Sequence, residues 1–373
     1  MALSAYDLSF FKPGVRPQVI QGMTLGNLLR VLARNDFRVD PECMGRLAYL
    51  LVLGVLNSIY GACETVFSAR QIRTVEIDPP PLFILGHWRS GTTHLHNLLS
   101  LDENLTSPTA FQSLFPHHFL FTGVGAALFN WVAPGKRPMD NMAFSADTPH
   151  EDEFGLAAHS TVSPYMKFLF PVTGDDGYSE MDPKRLPREA LERWKDSLIM
   201  FVKKLSISNP GRIVLKSPPH LGLVSTLLEI FPRAQFVHIV RDPYRVYLST
   251  RKLWTDGLAS AHLQIPQPEL VDDFILSWYV KLFSLFERDR EFVPAGSLYE
   301  MKFEDLEAEP IKTLRGMYEG LGLTGFGPFE ERLEVYMRSI GGYEKNSYHM
   351  SEADREKVRR VWGKNFERYG YRI

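Results

Sequence analysis

The chain has 373 residues, with 42 basic side chains against 44 acidic ones and a formal net charge of −2. At 45% hydrophobic and 23% charged residues its composition is that of a globular protein, which excludes a disordered or fibrous chain. The near-neutral balance argues against a protein that coats nucleic acid, and two cysteines, Cys43 and Cys63, exclude a disulfide framework or a cysteine-rich zinc site. The opening MALSAYDLSFFKPG lacks a basic stretch followed by an apolar one, so a cytoplasmic setting is expected. By length alone, two or three domains and one large α/β domain with appendages fit equally.

Residues 24–75 read as helical, with Leu25, Leu28, Leu29 and Leu32 at helical spacing. Two segments carry no formal charge: Leu47–Cys63 over 17 residues and Phe119–Val132 over 14. Both fall short of the about 20 apolar residues a membrane span needs, so a buried helix is the first expectation for each. The second is an interfacial helix that lies on a membrane or roofs an apolar acceptor pocket. Pro79-Pro80-Pro81 then breaks the chain. This gives a helical N-terminal extension over 1–78, an α/β domain over 79–340 and a C-terminal helical segment over 341–373.

Beyond the prolines the rhythm changes. Leu82-Phe83-Ile84-Leu85 is a short apolar run, Gly86–Thr93 is polar and glycine-bearing, and His94–Leu101 restores helical spacing. Ile213-Val214-Leu215 repeats the pattern before Lys216-Ser217-Pro218-Pro219-His220 and a helix carrying Leu223, Leu227, Leu228 and Phe231. Phe236–Val240 repeats it again before Arg241-Asp242-Pro243 and a helix through Trp254. Apolar strands without alternation, each followed by a helix, predict a central parallel sheet with helices on both faces; the helical stretches 188–205 and 271–291 supply outer layers. Ligands of such sheets sit beyond the C-terminal strand ends, where Arg89, Lys216 and Arg241 fall.

Gly86–Thr93 has P-loop spacing, in which backbone N–H groups and a helix start cradle an anion. Thr92 stands where a nucleotide triphosphatase has its lysine, and no carboxylate ends the strands Ile213–Leu215 and Phe236–Val240. Both facts speak against ATP with magnesium, although a nucleotide kinase of the same fold is one alternative. A non-catalytic, membrane-associated phosphonucleotide binder is another.

At Arg89-Ser90-Gly91-Thr92-Thr93 the chain resembles the sulfotransferases that use 3′-phosphoadenosine 5′-phosphosulfate (PAPS), whose 5′-phosphosulfate loop commonly reads RSGTT. Their 3′-phosphate site is a strand-end arginine with a serine eight residues on, and Arg241 with Ser249 has that spacing. Two helical turns bring such a pair to one side of a helix. The resemblance spans about residues 80–350 and is similar in style to the bacterial and lower-eukaryote branch, with a P-loop-like fold. Phe303-Glu304-Asp305-Leu306 resembles the family's strand and following helix. Tyr343-Glu344-Lys345-Asn346-Ser347 stands near the place of the RKGxxG segment of cytosolic members, where Lys345 would reach the 3′-phosphate and the C-terminal segment would close the cofactor site.

What the resemblance implies is sulfuryl transfer from PAPS to a hydroxyl, leaving 3′,5′-adenosine bisphosphate, with no metal required. Lys216, 25 residues before Arg241, resembles the family's catalytic lysine and is expected to stabilise the bridging oxygen together with Arg89. Two candidates compete for the base. His220 follows Lys216 by four residues where cytosolic members use a spacing of two; the other candidate is the acidic cluster holding Glu151 and Glu153. His117-His118 has no third ligand nearby and is not read as a metal site. The aromatic run Phe111, Phe115, Phe119, Phe121, Trp131 and Phe144, with Tyr165, Phe168 and Phe170 after it, points to a hydrophobic acceptor such as a sterol, lipid or phenol. The oligomeric state is not legible.

Overall fold

The computed structural model describes residues 21–126, 129–130, 135–136, 143–173, 177, 179–258, 261–339 and 350–373. The chain forms two compact units interleaved along its length. One comprises Met1–Ile77, Pro108–Ser208 and Arg251–Phe274; the other comprises Asp78–Ser107, Asn209–Thr250 and Ile275–Ile373. The strands of the second, the sheet unit, are β1 (Leu82–Leu85), β2 (Leu105–Thr106), β3 (Arg212–Lys216), β4 (Gln235–Val240) and β5 (Leu298–Lys302). In chain order the principal helices are α1 (Leu25–Arg34), α2 (Met44–Thr74), α3 (Thr92–Leu99), α4 (Glu153–Ser160), α5 (Arg188–Ser208), α6 (Pro243–Lys252), α7 (Pro310–Leu321) and α8 (Glu352–Tyr369).

In the sheet unit the strands run parallel in the order β2-β3-β1-β4-β5. All four residues of β1 are fully buried, as expected of a central strand covered on both faces. Leu82, Ile84, Val214, Val237 and Ile239 pack with Leu95, Leu98 and Leu99 of α3 and with Leu314, Met317 and Tyr318 of α7. On β1's other side Phe83 stacks on Phe236. The register pairs Ile84 with Lys216 and Leu85 with His238, so β1, β3 and β4 end side by side. The chain passes from β3 to β4 across β1, and that reversal of direction is where open α/β sheets place their ligands.

The helical unit packs α1 against α2, α2 against α5 and α4 against α5. Thr24 caps α1 by accepting from the Asn27 N–H at 3.3 Å. The expected continuous helix over 24–75 is broken at Asn35–Cys43, where Asp36 and Phe37 turn the chain with φ of 53°. Only the later part of the segment Phe119–Val132 is helical, at Ala126, Phe129 and Asn130, and these residues are half-buried or exposed rather than buried; its start is a turn. Glu64 Oε2 accepts the Leu120 and Phe121 N–H groups, and a single 3₁₀ turn follows at Gly123–Gly125; its last residues lie partly outside the described ones. Phe303–Leu306 also differs from expectation. The strand is the preceding Leu298–Lys302, half-buried at the sheet edge, and Phe303–Ala308 is already helix. Tyr343–Ser347 with Lys345, and Trp131, lie outside the described residues.

Candidate active site

Gly86–Gly91 leaves β1 and turns into α3. Two residues carry the turn. Arg89 has φ of 67°, a conformation that costs a non-glycine residue about 1–3 kcal/mol and recurs where function demands it. Gly91 has φ of 101°, and a Cβ there would collide with the Phe303 ring. No side chain caps α3, so its first-turn N–H groups face the loop as donors, as in an anion cradle. The Ser90 hydroxyl is buried with no hydrogen-bond partner. An orphaned buried hydroxyl beside a bare helix N-terminus fits a bound phosphate or sulfate oxygen.

The three strand ends converge on this loop. Arg89 Nε donates to Ser249 Oγ at 2.9 Å, joining the loop to α6. Arg241, the residue after β4, donates from NH1 to the Arg89 carbonyl at 3.3 Å, and its guanidinium lies 4.3 Å from the centre of the Phe303 ring. Lys216, the last residue of β3, is only 2% exposed, and its Nζ donates to Thr93 Oγ1 at 3.3 Å. Arg89, Ser90, Gly91, Thr92, Thr93, Lys216, Arg241 and Ser249 therefore share one locus at the C-terminal edge of the sheet. Among the described residues no group of His, Cys, Asp and Glu is arranged to hold a metal ion.

The remaining candidates lie elsewhere. His220 is fully buried, and its ring sits edge-on to Phe83 at 5.4 Å. Phe83 aligns with Leu215, so alternation along the strands puts this imidazole on the sheet face opposite Lys216. Glu151 and Glu153 belong to the helical unit. Glu151 accepts a hydrogen bond from the Tyr165 hydroxyl. Glu153, at the start of α4, is fully buried; burial first, then the nearby Asp152 and Glu151 charges, raise its pKa well above the usual carboxylate range, against hydrogen bonds from Ser163 and Trp194. Its carboxyl is thereby biased toward the neutral acid. Phe111, Phe119, Phe144, Tyr165, Phe168 and Phe170 are all buried in the helical unit, whereas Phe121 is 42% exposed.

The sequence did not show that Phe303, Glu304 and Tyr371 support the site. Phe303 underlies both Gly91 and Arg241. Glu304 accepts the Asp242 N–H at 3.0 Å and the Tyr371 hydroxyl at 2.9 Å, bracing the turn after β4. Phe303 and Glu304 stand about 60 residues from Arg241 and Asp242 and Phe303 more than 200 from Gly91, and no local spacing links them to these residues. His87 inside the loop is fully buried, held near pKa 4 by desolvation, and packs on Trp88 and Tyr279.

A parallel sheet whose lysine-free phosphate loop meets a strand-end lysine and arginine defines a P-loop-like group-transfer enzyme. The model of the sulfotransferase family matches residues 80–328, and the chain belongs to that family. The omega-hydroxy-beta-dihydromenaquinone-9 sulfotransferases Stf3 of Mycobacterium bovis and Mycobacterium tuberculosis are each 36% identical over 350 residues, spanning 94% of this chain and 90% of theirs. In fold the chain is similar to sulfotransferase STF1 from M. tuberculosis, with a TM-score of 0.64, 19% identity and coverage of 91% of each chain. Sulfotransferase STF9 from Mycobacterium avium gives 0.61 at 17% identity, over 94% of this chain and 98% of that one. The protein is thus a sulfuryl-transferring enzyme.

Proposed function

We propose that the sulfuryl donor is PAPS and that the acceptor is the hydroxyl of a long apolar alcohol. The observation that carries the donor is the hydrogen-bonded cluster of Arg89, Ser249 and Arg241 beside the orphaned Ser90 hydroxyl. The Ser90 hydroxyl and the α3 N–H groups would hold the 5′-phosphosulfate, and Arg241 with Ser249 the 3′-phosphate. When bound, PAPS supplies an activated sulfuryl group on a phosphate leaving oxygen. Lys216 and Arg89 would place positive charge where that oxygen gains negative charge, and the Thr93 hydroxyl accepts from the lysine amine. The aromatic helical unit and the Stf3 relatives, named for an omega-hydroxylated dihydromenaquinone, support a lipid acceptor.

Burial biases Glu153 toward its protonated acid, a form that cannot take the acceptor's proton. His220 lies on the sheet face opposite Lys216, which weighs against it as the base, and we expect Glu153→Gln to retain most turnover. Calorimetry with 3′,5′-adenosine bisphosphate tests the donor assignment. Wild type should bind, and Arg241→Ala should bind roughly 10–100-fold more weakly, the loss expected for a charge-assisted contact of about 1.5–3 kcal/mol. A wild-type protein that ignores the nucleotide would end the PAPS reading; equal affinity of both proteins would end the role given to Arg241.

A further inference from the structure

Helix α2 is built inside out. Its buried positions include Arg46, Asn57 and Glu64, along with Leu50 and Gly54. Each polar group is matched within the helical unit. Arg46 NH1 donates to the His262 carbonyl at 2.7 Å, and Asn57 Nδ2 donates to the Gln21 and Met23 carbonyls at 2.7 and 2.9 Å. Glu64 pairs with the buried Lys204 and accepts the Leu120 and Phe121 N–H groups. The outward face is apolar instead. Met44, Val52, Val55, Leu56, Ile59, Tyr60, Val66 and Phe67 are exposed, Val66 to 77% and Phe67 to 73%. Phe67 stacks on the exposed Phe121 with ring centres 5.7 Å apart. A helix on a water-facing surface has the reverse polarity.

We propose that this face lies in the plane of a membrane and docks the enzyme on anionic lipid. Pro41–Thr74 is, among the described residues, the one helix long and apolar enough to cross a bilayer, with a mean hydropathy of 1.6 in its most apolar window. Spanning is excluded by the partners of Arg46, Asn57 and Glu64, which pin the helix from Arg46 to Glu64 to the His262 segment, to Gln21 and Met23 before α1, and to Lys204 of α5. An in-plane helix keeps every one of those bonds and buries the outer stripe among acyl chains. Charge selects the lipid. On α2 itself the exposed charged residues are Arg70 and Arg73, with Glu42 before the helix and Glu76 and Asp78 after it, and no carboxylate stands on the outward face between Met44 and Phe67. The two arginines at the C-terminal end of the apolar stripe favour an anionic headgroup layer. The docking deepens the acceptor reading above, since a lipid alcohol resides in the bilayer, but it is measured without any acceptor.

The test is flotation of the full-length protein with vesicles of phosphatidylcholine alone or with about 30% phosphatidylglycerol, an anionic fraction sufficient for electrostatic docking. Wild type should float with the mixed vesicles and much less with phosphatidylcholine. The Val52→Asp/Val66→Asp protein should float roughly tenfold less, because two charges then face the acyl region. Light scattering without lipid, and titration with 3′,5′-adenosine bisphosphate, accompany each protein. Nucleotide binding retained by the double variant shows that its sheet unit is folded. Absence of wild-type flotation overturns the proposal, as does flotation unaffected by the two aspartates. A wild-type dimer that the aspartates split into monomers also overturns it, because a second copy would then be the occupant. None of these outcomes bears on whether wild type binds the nucleotide, so the donor reading stands or falls separately.

Discussion

At the scale of single residues, Lys216 is the most informative. A lysine that is 2% exposed and donates to a threonine hydroxyl has been taken out of water for a reason other than stability, since desolvating an amine disfavours its charged form. The family resemblance assigned it to the leaving oxygen, and its place beside Thr93 at the phosphate loop is consistent with that work. Lys216→Met keeps the volume and removes the charge. We expect the maximal rate to fall by about 10²–10³, the cost of removing one preorganised donor, while affinity for 3′,5′-adenosine bisphosphate changes little. Equal losses of rate and of nucleotide affinity would mean that the lysine binds rather than catalyses. The base was not legible at this scale, because the burial that raises Glu153 and buries His220 against Phe83 is set by partners distant in sequence.

Among elements, the central ones were legible and the edges were not. Largely apolar runs, broken only by His238, located β1, β3 and β4 to within a residue at each end, because strands covered on both faces need few polar positions. The two-residue β2 and the half-buried β5 carry too little such signal, and Phe303 was assigned to the strand that in fact ends before it. The phosphate loop was readable because backbone geometry demands particular residues at particular places. Gly91 shows why. With φ of 101° and the Phe303 ring filling the space of a Cβ, alanine there faces both backbone strain and a clash. Gly91→Ala should lower stability by about 1–4 kcal/mol in urea unfolding and weaken nucleotide binding, because the ring it displaces also underlies Arg241. Unchanged nucleotide affinity would show that the loop can shift without disturbing the site. Helix α2 was the least legible element. Its composition announced an apolar helix, but which face turned inward depended on the partners of Arg46, Asn57 and Glu64, and spacing gave no hint of them.

For the molecule as a whole, the net charge of −2 says less than the groups that burial keeps neutral. Desolvation holds His87, His118 and His262 near pKa 4 and His117 near 3, and it lowers His159 and His238 as well. In the unfolded chain these imidazoles titrate near ~6.5, so between about pH 4 and 6.5 the unfolded state binds more protons than the native one. Stability is then fully present above the unfolded value and is lost as pH falls through the folded ones. Each histidine contributes up to about 1.4 kcal/mol per pH unit inside that window. Glu153 acts with the opposite sign. Its raised native pKa gives stability that is complete below ~4.3 and is lost as pH rises through the folded value. Several histidines against one glutamate predict a net gain on going from about pH 5 to pH 7, read as a higher urea midpoint at unchanged slope. Glu153→Gln removes the opposing contribution, so the same pH step should raise its midpoint further than it raises that of wild type. A midpoint that is flat or falls toward neutrality would mean that these histidines reach solvent, or that carboxylates such as Glu300 beside His238 outweigh burial, and that the buried interior is not held in its neutral form.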